Sequence, residues 1–131
     1  MNIEMMREFA ARYTAAWCSQ NAASVAAFFA PEGSLTINDG SPAVGRAAIT
    51  AAAQEFMTAF PDLVVSKDKV DVEGERAIYQ WTLTGTNTGP GGTGRRVRVS
   101  GREEWRVGGD GLIAESQGHF DDAEYARQLK G

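Results

Sequence analysis

The spacing of apolar residues changes at Phe60-Pro61, and this change limits the fold more than any other feature of the chain. Before it, Met6, Phe9, Tyr13 and Trp17 recur three, four and four positions apart, which is one face of an amphipathic helix. Asn2 can cap its start, and Ser19 to Asn21 end it. A second, short helix holds Val25, Phe28 and Phe29 inside and stops before Pro31, since the residue before a proline avoids helical dihedrals. "GSLTIND" reads as a short strand with an Asp39-Gly40 turn, and an Ala-rich third helix runs from about Arg46 to Ala59.

After Pro61 the period becomes two. "LVVSKDKV" and "AIYQWTLTG" are strands joined by "EGE", and "RRVRVSGREEWRV" and "LIAESQGHF" are strands joined by "GGDG". "DDAEYARQL" closes the chain as a helix, with Asp121 and Glu124 spaced as a capping box. Helices first and antiparallel strands after predict one α+β domain over residues 1–131, with the helices on one face of the sheet. At 131 residues and 43% hydrophobic content, such a domain buries a sizeable core.

Charge and cysteine content narrow the function. Thirteen basic against seventeen acidic residues leave a net charge of −4, which speaks against nucleic acid or an anionic membrane as partner. The cluster Arg95, Arg96 and Arg98 reads as a solvated strand edge. Cys18 is the single cysteine, so no internal disulfide and no cysteine-based metal site is expected, and its apolar helical setting suggests a small buried residue. His119 is the single histidine, which excludes a histidine-pair metal site. No cofactor is indicated. No stretch approaches a membrane span and the start lacks the order of a signal peptide, so a cytoplasmic protein is expected.

The glycine-rich "GTNTGPGGTG" lies between strands and lacks the G-K-[ST] ending of a phosphate cradle, so it reads as a mobile hairpin loop. The sharper anomaly is Glu103. Strict alternation puts Val97, Val99, Gly101, Glu103, Trp105 and Val107 on one face and Arg98, Ser100, Arg102, Glu104 and Arg106 on the other. A carboxylate in the middle of an apolar face costs several kcal/mol unless it is paired. Either the register shifts and Glu103 lies outside, or it faces a cavity, where desolvation raises its pKa and suits it to general-base work. An apolar replacement of such a buried charge is then expected to be neutral or stabilising. Tyr13, Trp17, Tyr79, Trp81, Trp105 and Phe120 are the large aromatics placed inward, and they either build the core or line that cavity. His119, at a strand end, reads as a half-exposed polar residue or as an acid/base group. Asp121 beside it reads first as a helix cap.

The third helix with its "GR" start, "FPDL", "WTLTGTNTG", "GRRVRVSG", "DGLIAE" and the terminal "RQL" together resemble the SnoaL-like polyketide cyclase family of the NTF2-like superfamily, from about Met6 to Leu129. The resemblance implies a cone in which a strongly bent sheet wraps around the helices and leaves an apolar pocket for a small apolar molecule. It also implies a homodimer paired through the outer sheet face. The cyclases close a ring by an intramolecular aldol step, with an acid/base aspartate in the last strand and a histidine one strand earlier. Those positions correspond to Gly118 and Glu103 here, so a polar group is retained at one and lost at the other. The limonene epoxide hydrolase branch fits less well, because its catalytic positions correspond to Trp81, Leu83 and Gly118 and only its asparagine is matched, by Asn38.

Two functions follow from the resemblance. One is an isomerase, cyclase or lyase acting on a small apolar carbonyl compound, with Glu103 as base, His119 or Tyr13 as proton donor and Asn38 orienting an oxygen. The other is a non-catalytic ligand-binding or dimerisation module of the same fold.

Overall fold

A computed structural model describes residues 2–131. The elements, in chain order, are α1 (Ile3–Cys18), α2 (Ala22–Ala26), β1 (Phe29–Ile37), β2 (Ala43–Val44), α3 (Arg46–Ala59), β3 (Val64–Glu73), β4 (Arg76–Thr86), β5 (Arg96–Val107), β6 (Ile113–Phe120) and α4 (Asp122–Lys130). The six strands form one sheet in the order β2-β1-β6-β5-β4-β3. All neighbours are antiparallel except β1 and β6, which run parallel because the whole strand-rich half of the chain lies between them in sequence.

The helical stripe of α1 is buried as its spacing requires: Met6, Phe9, Ala10, Tyr13, Ala16 and Trp17 face the sheet. The Asn2 side chain caps it by accepting from the backbone N–H of Glu4 at 2.7 Å and of Met5 at 3.3 Å. Cys18 sits just past that stripe and is exposed rather than buried, with its sulfur 3.3 Å from the backbone N and O of Val65.

Three local expectations are corrected. The short second helix ends at Ala26, and Phe29 and Pro31 belong to β1. The β1–β6 register shifts between Phe29 and Ser34, so Pro31 falls where the ladder is already interrupted and its missing N–H costs nothing. The glycine-rich loop is pinned to α3 rather than free. The Asn87 amide donates to the Ala59 carbonyl at 3.0 Å and its oxygen accepts from the Thr93 N–H at 2.8 Å. Gly89 lies so close to Thr58 that a Cβ would stand 2.0 Å from its carbonyl oxygen. At the last helix only half of the capping box forms. The Asp121 carboxylate accepts from the Glu124 N–H at 3.0 Å, whereas the Glu124 carboxylate turns forward to Arg127 and Gln128.

Helix α4 also guards the sheet. β6 pairs with β5 only from Gly101 onward, which leaves the first half of β5 with an open edge. The Gln128 side chain closes it by accepting from the Arg98 N–H at 2.7 Å and donating to the Arg98 carbonyl at 2.9 Å. Among the described residues no helix is long and apolar enough to cross a membrane.

Candidate functional site

Strand β5 keeps its alternation, so Glu103 is turned inward and is 7% exposed. It stands between Tyr79 of β4 and Gly118 of β6 in the ladder. Its Oε1 accepts from the Ser116 hydroxyl at 2.7 Å, the Tyr13 hydroxyl at 2.9 Å and the Trp105 indole N–H at 3.0 Å. Its Oε2 accepts only from the same Tyr13 hydroxyl, at 3.1 Å. One oxygen is therefore saturated and the other retains acceptor capacity.

All three donors are neutral, and no cationic side chain pairs with Glu103 among the described residues. Burial disfavours the charged form and raises its pKa above the ordinary 4.5, with the bonds from Trp105, Ser116 and Tyr13 opposing that rise in part. The Tyr13 phenol is pushed well above its ordinary value, first by burial and then by the Glu103 charge, so it stays a donor. Burial also raises the Tyr79 phenol, whose oxygen lies 2.5 Å from the Thr14 hydroxyl.

A cavity with about 60 Å³ of free space opens beside Glu103. Its wall is formed by Trp17 of α1, Phe56 of α3, Tyr79 and Trp81 of β4, Phe120 of β6 and Tyr125 of α4, with aliphatic side chains from β1, β3, β4 and β5 between them. Glu103 is the one carboxylate in this wall. Trp81 is seated by a deliberate gap. It pairs with Gly101, where a Cβ would stand 2.6 Å from its ring.

The six inward aromatics divide between the two roles left open by the sequence. Tyr13 and Trp105 are fully buried behind Glu103, and Tyr79 stacks on Trp105 with centroids 4.9 Å apart at 18°. Trp17, Tyr79, Trp81 and Phe120 reach the cavity wall. His119 borders the same cavity as Glu103, whereas Asn38 does not. His119 Nε2 lies 3.5 Å from Glu104, a residue that the β5 alternation places on the opposite face from Glu103. Asn38 sits at a left-handed turn (φ 52°), and its side-chain oxygen accepts from the Phe120 N–H at 2.9 Å, tying the ends of β1 and β6 together. Asp121 serves as the cap of α4. Ser116 was not singled out by sequence reasoning. The signal for it is register, since counting back across the "GGDG" turn sets Ser116 opposite Trp105. No group of His, Cys, Asp and Glu that could hold a metal occurs among the described residues.

A family model described as SnoaL-like domain matches residues 10–116. No functionally curated protein matches the chain by sequence. Among solved structures, a protein from Jannaschia sp. CCS1, provisionally described as a SnoaL-like polyketide cyclase, superposes with a TM-score of 0.85 at 21% identity over 100% of this chain and 96% of its own. A hypothetical protein with a ketosteroid isomerase-like fold from Catenulispora acidiphila DSM 44928, solved with trimethylamine, gives 0.83 at 18% identity over 94% and 92%. An NTF2-like protein of unknown function from Burkholderia pseudomallei K96243 gives 0.82 at 21% identity over 100% of each chain. At these identities the likeness is one of fold.

Proposed function

Since the chain belongs to the SnoaL-like domain family and has its NTF2-like cone, we propose that the cavity receives a small apolar carbonyl compound and that Glu103 is its general base. The observation that carries this reading is the asymmetry of the carboxyl: Oε1 is held by three neutral donors while Oε2 retains acceptor capacity beside an apolar cavity. A base raised by desolvation is better matched to a carbon acid than an ordinary carboxylate.

The one titratable side chain bonded to Oε2 is Tyr13, whose phenol is held protonated by burial and by the Glu103 charge, and this favours chemistry that one carboxyl completes alone. Glu103 Oε2 takes a proton from the carbon next to the carbonyl, and the C–H electron pair moves into the carbonyl to give an enolate. The carboxyl then returns the proton to the same carbon or to a conjugated one, and ends as it began. Isomerisation fits this balance, whereas ring closure or hydration needs an acid that His119, turned toward Glu104, does not supply.

Exchange of the α-protons of 2-tetralone in D2O, followed by NMR, tests the reading. The wild-type chain is expected to accelerate exchange, with a rate that rises with pH through the raised Glu103 pKa because only the ionised carboxyl is a base. Glu103→Gln is expected to lose about 10²-fold or more of that acceleration. Equal exchange by both proteins rejects Glu103 as the base. Binding without exchange supports the second reading, a non-catalytic ligand-binding module, which the diversion of His119 and Asn38 to structural contacts favours.

The same proposal includes a homodimer formed through the outer face of the sheet, which the inward packing of α1, α2 and α3 leaves uncovered. Partly buried Ile78 on β4 and the joined Thr82 and Ser100 hydroxyls, 2.8 Å apart, lie on that face. Light scattering at micromolar concentration is expected to give twice the chain mass. A monomer throughout would remove this part of the proposal.

A further inference from the structure

Four glycines lie inside strands, and a strand-interior glycine loses stability unless something needs the space. Two of them, Gly33 and Gly101, are demanded by the fold, and at Gly85 a Cβ would be crowded. A Cβ at Gly33 would stand 2.8 Å from the Ile113 carbonyl oxygen, at Gly85 it would meet Phe60 at 3.0 Å, and at Gly101 it would meet the His119 carbonyl oxygen at 2.4 Å. Gly118 differs. Its backbone is not left-handed, and a Cβ there would make ordinary contacts, 3.4 Å to the Thr36 carbonyl oxygen and 3.8 Å to Glu103 Cγ. Nothing in the packing requires glycine at this position, yet it lies in the cavity wall directly across the ladder from Glu103.

We infer that Gly118 sets the ligand specificity of the cavity: the missing side chain leaves a slot where a planar ring lies flat on the β6 backbone and aims an enol, phenol or enolisable carbonyl at Glu103 Oε2. Trp81, Phe120 and Tyr79 supply the remaining walls of such a slot. A hydroxyl on the ring donates to Oε2, the one carboxyl oxygen with capacity to spare. A side chain at position 118 occupies the slot, with its Cβ in ordinary contact with Glu103 Cγ at 3.8 Å.

This inference takes from the proposed function only the placing of the ligand at Glu103; it concerns binding, not proton transfer. The test is the binding of 2-naphthol, followed by its fluorescence, to the wild-type chain, Gly118→Ala and Gly118→Val, with thermal unfolding of each. Wild type is expected to bind, Gly118→Ala to bind about 10-fold more weakly, and Gly118→Val not to bind. Both variants are expected to melt within about 5 °C of wild type. Equal binding by wild type and Gly118→Val overturns the inference, as does failure of wild type to bind. A Gly118→Ala chain that does not fold overturns it too, because the glycine is then structural. Loss of α-proton exchange in Glu103→Gln bears on the base alone, so the two ideas fail separately.

Discussion

Trp105→Ala is expected to lose about 3–5 kcal/mol of folding stability, the range for emptying a core position of a large aromatic. Trp105 has no exposed surface, stacks on Tyr79 and meets Phe9 and Tyr13 edge-on at 5.5 and 5.1 Å. Its removal also takes away the only fixed N–H on Glu103 Oε1, since the Ser116 and Tyr13 hydroxyls can rotate and the indole cannot. Against a total of about 5–15 kcal/mol for a domain, such a loss leaves the chain marginal or unfolded near 37 °C. Trp105→Phe separates the two contributions. It keeps most of the ring packing, removes the hydrogen bond, and is expected to cost about 1.5–3 kcal/mol. Because that bond is the foremost influence holding the Glu103 pKa down, its loss moves the pKa further up. Urea unfolding gives both stabilities, and the pH profile of α-proton exchange in Trp105→Phe is expected to shift to higher pH.

Glu103→Leu is expected to destabilise by about 2–4 kcal/mol, against the expectation from sequence that an apolar replacement is neutral or better. The reason is visible only in the structure. Three buried donors converge on this carboxyl, and leucine orphans the Trp105 N–H outright while the two hydroxyls must find other partners. Relief from burying a charge offsets part of this loss and not all of it. Glu103→Gln keeps an acceptor for the indole and serine donors, so it is expected to stay within about 1 kcal/mol of wild type. The two also differ in pH dependence. The native carboxyl binds its proton more tightly than the unfolded chain does, so the stability from that proton is fully present below the unfolded pKa of about 4.3 and is lost as pH rises through the raised native value. Wild type is therefore expected to weaken relative to Glu103→Gln across that window. Urea unfolding of the three proteins at several pH values checks both the order and the trend.

Much of this was legible in the chain itself. The change of period at Phe60-Pro61 marks the boundary between helices and sheet, and the alternation of "RRVRVSGREEWRV" identifies Glu103 as the inward carboxylate, because a fixed period of two carries a residue's face along the whole strand. What was not legible depends on pairing between distant segments. His119 follows Gly118 by one residue and so lands on the other face, beside Glu104, yet only the register of β6 against β5 decides which of the two looks inward. Asn38 looked like a polar group for a ligand, but its left-handed backbone and its bond to Phe120 make it a clasp between two strands that are 82 residues apart at that bond. Pro31 misled because the rule about proline ends helices correctly but does not say that a strand with an interrupted ladder begins at once.

The central claim is that a buried carboxyl held by neutral donors is poised as a base at Glu103, and its own titration tests that most directly. In a chain with ¹³C-labelled glutamate side chains, the Glu103 signal, assigned by its loss in Glu103→Gln, can be followed by NMR against pH. A midpoint clearly above 4.5, coinciding with the midpoint of α-proton exchange, is expected. A midpoint at or below 4.5 would show a solvated or cation-paired carboxylate and contradict the claim.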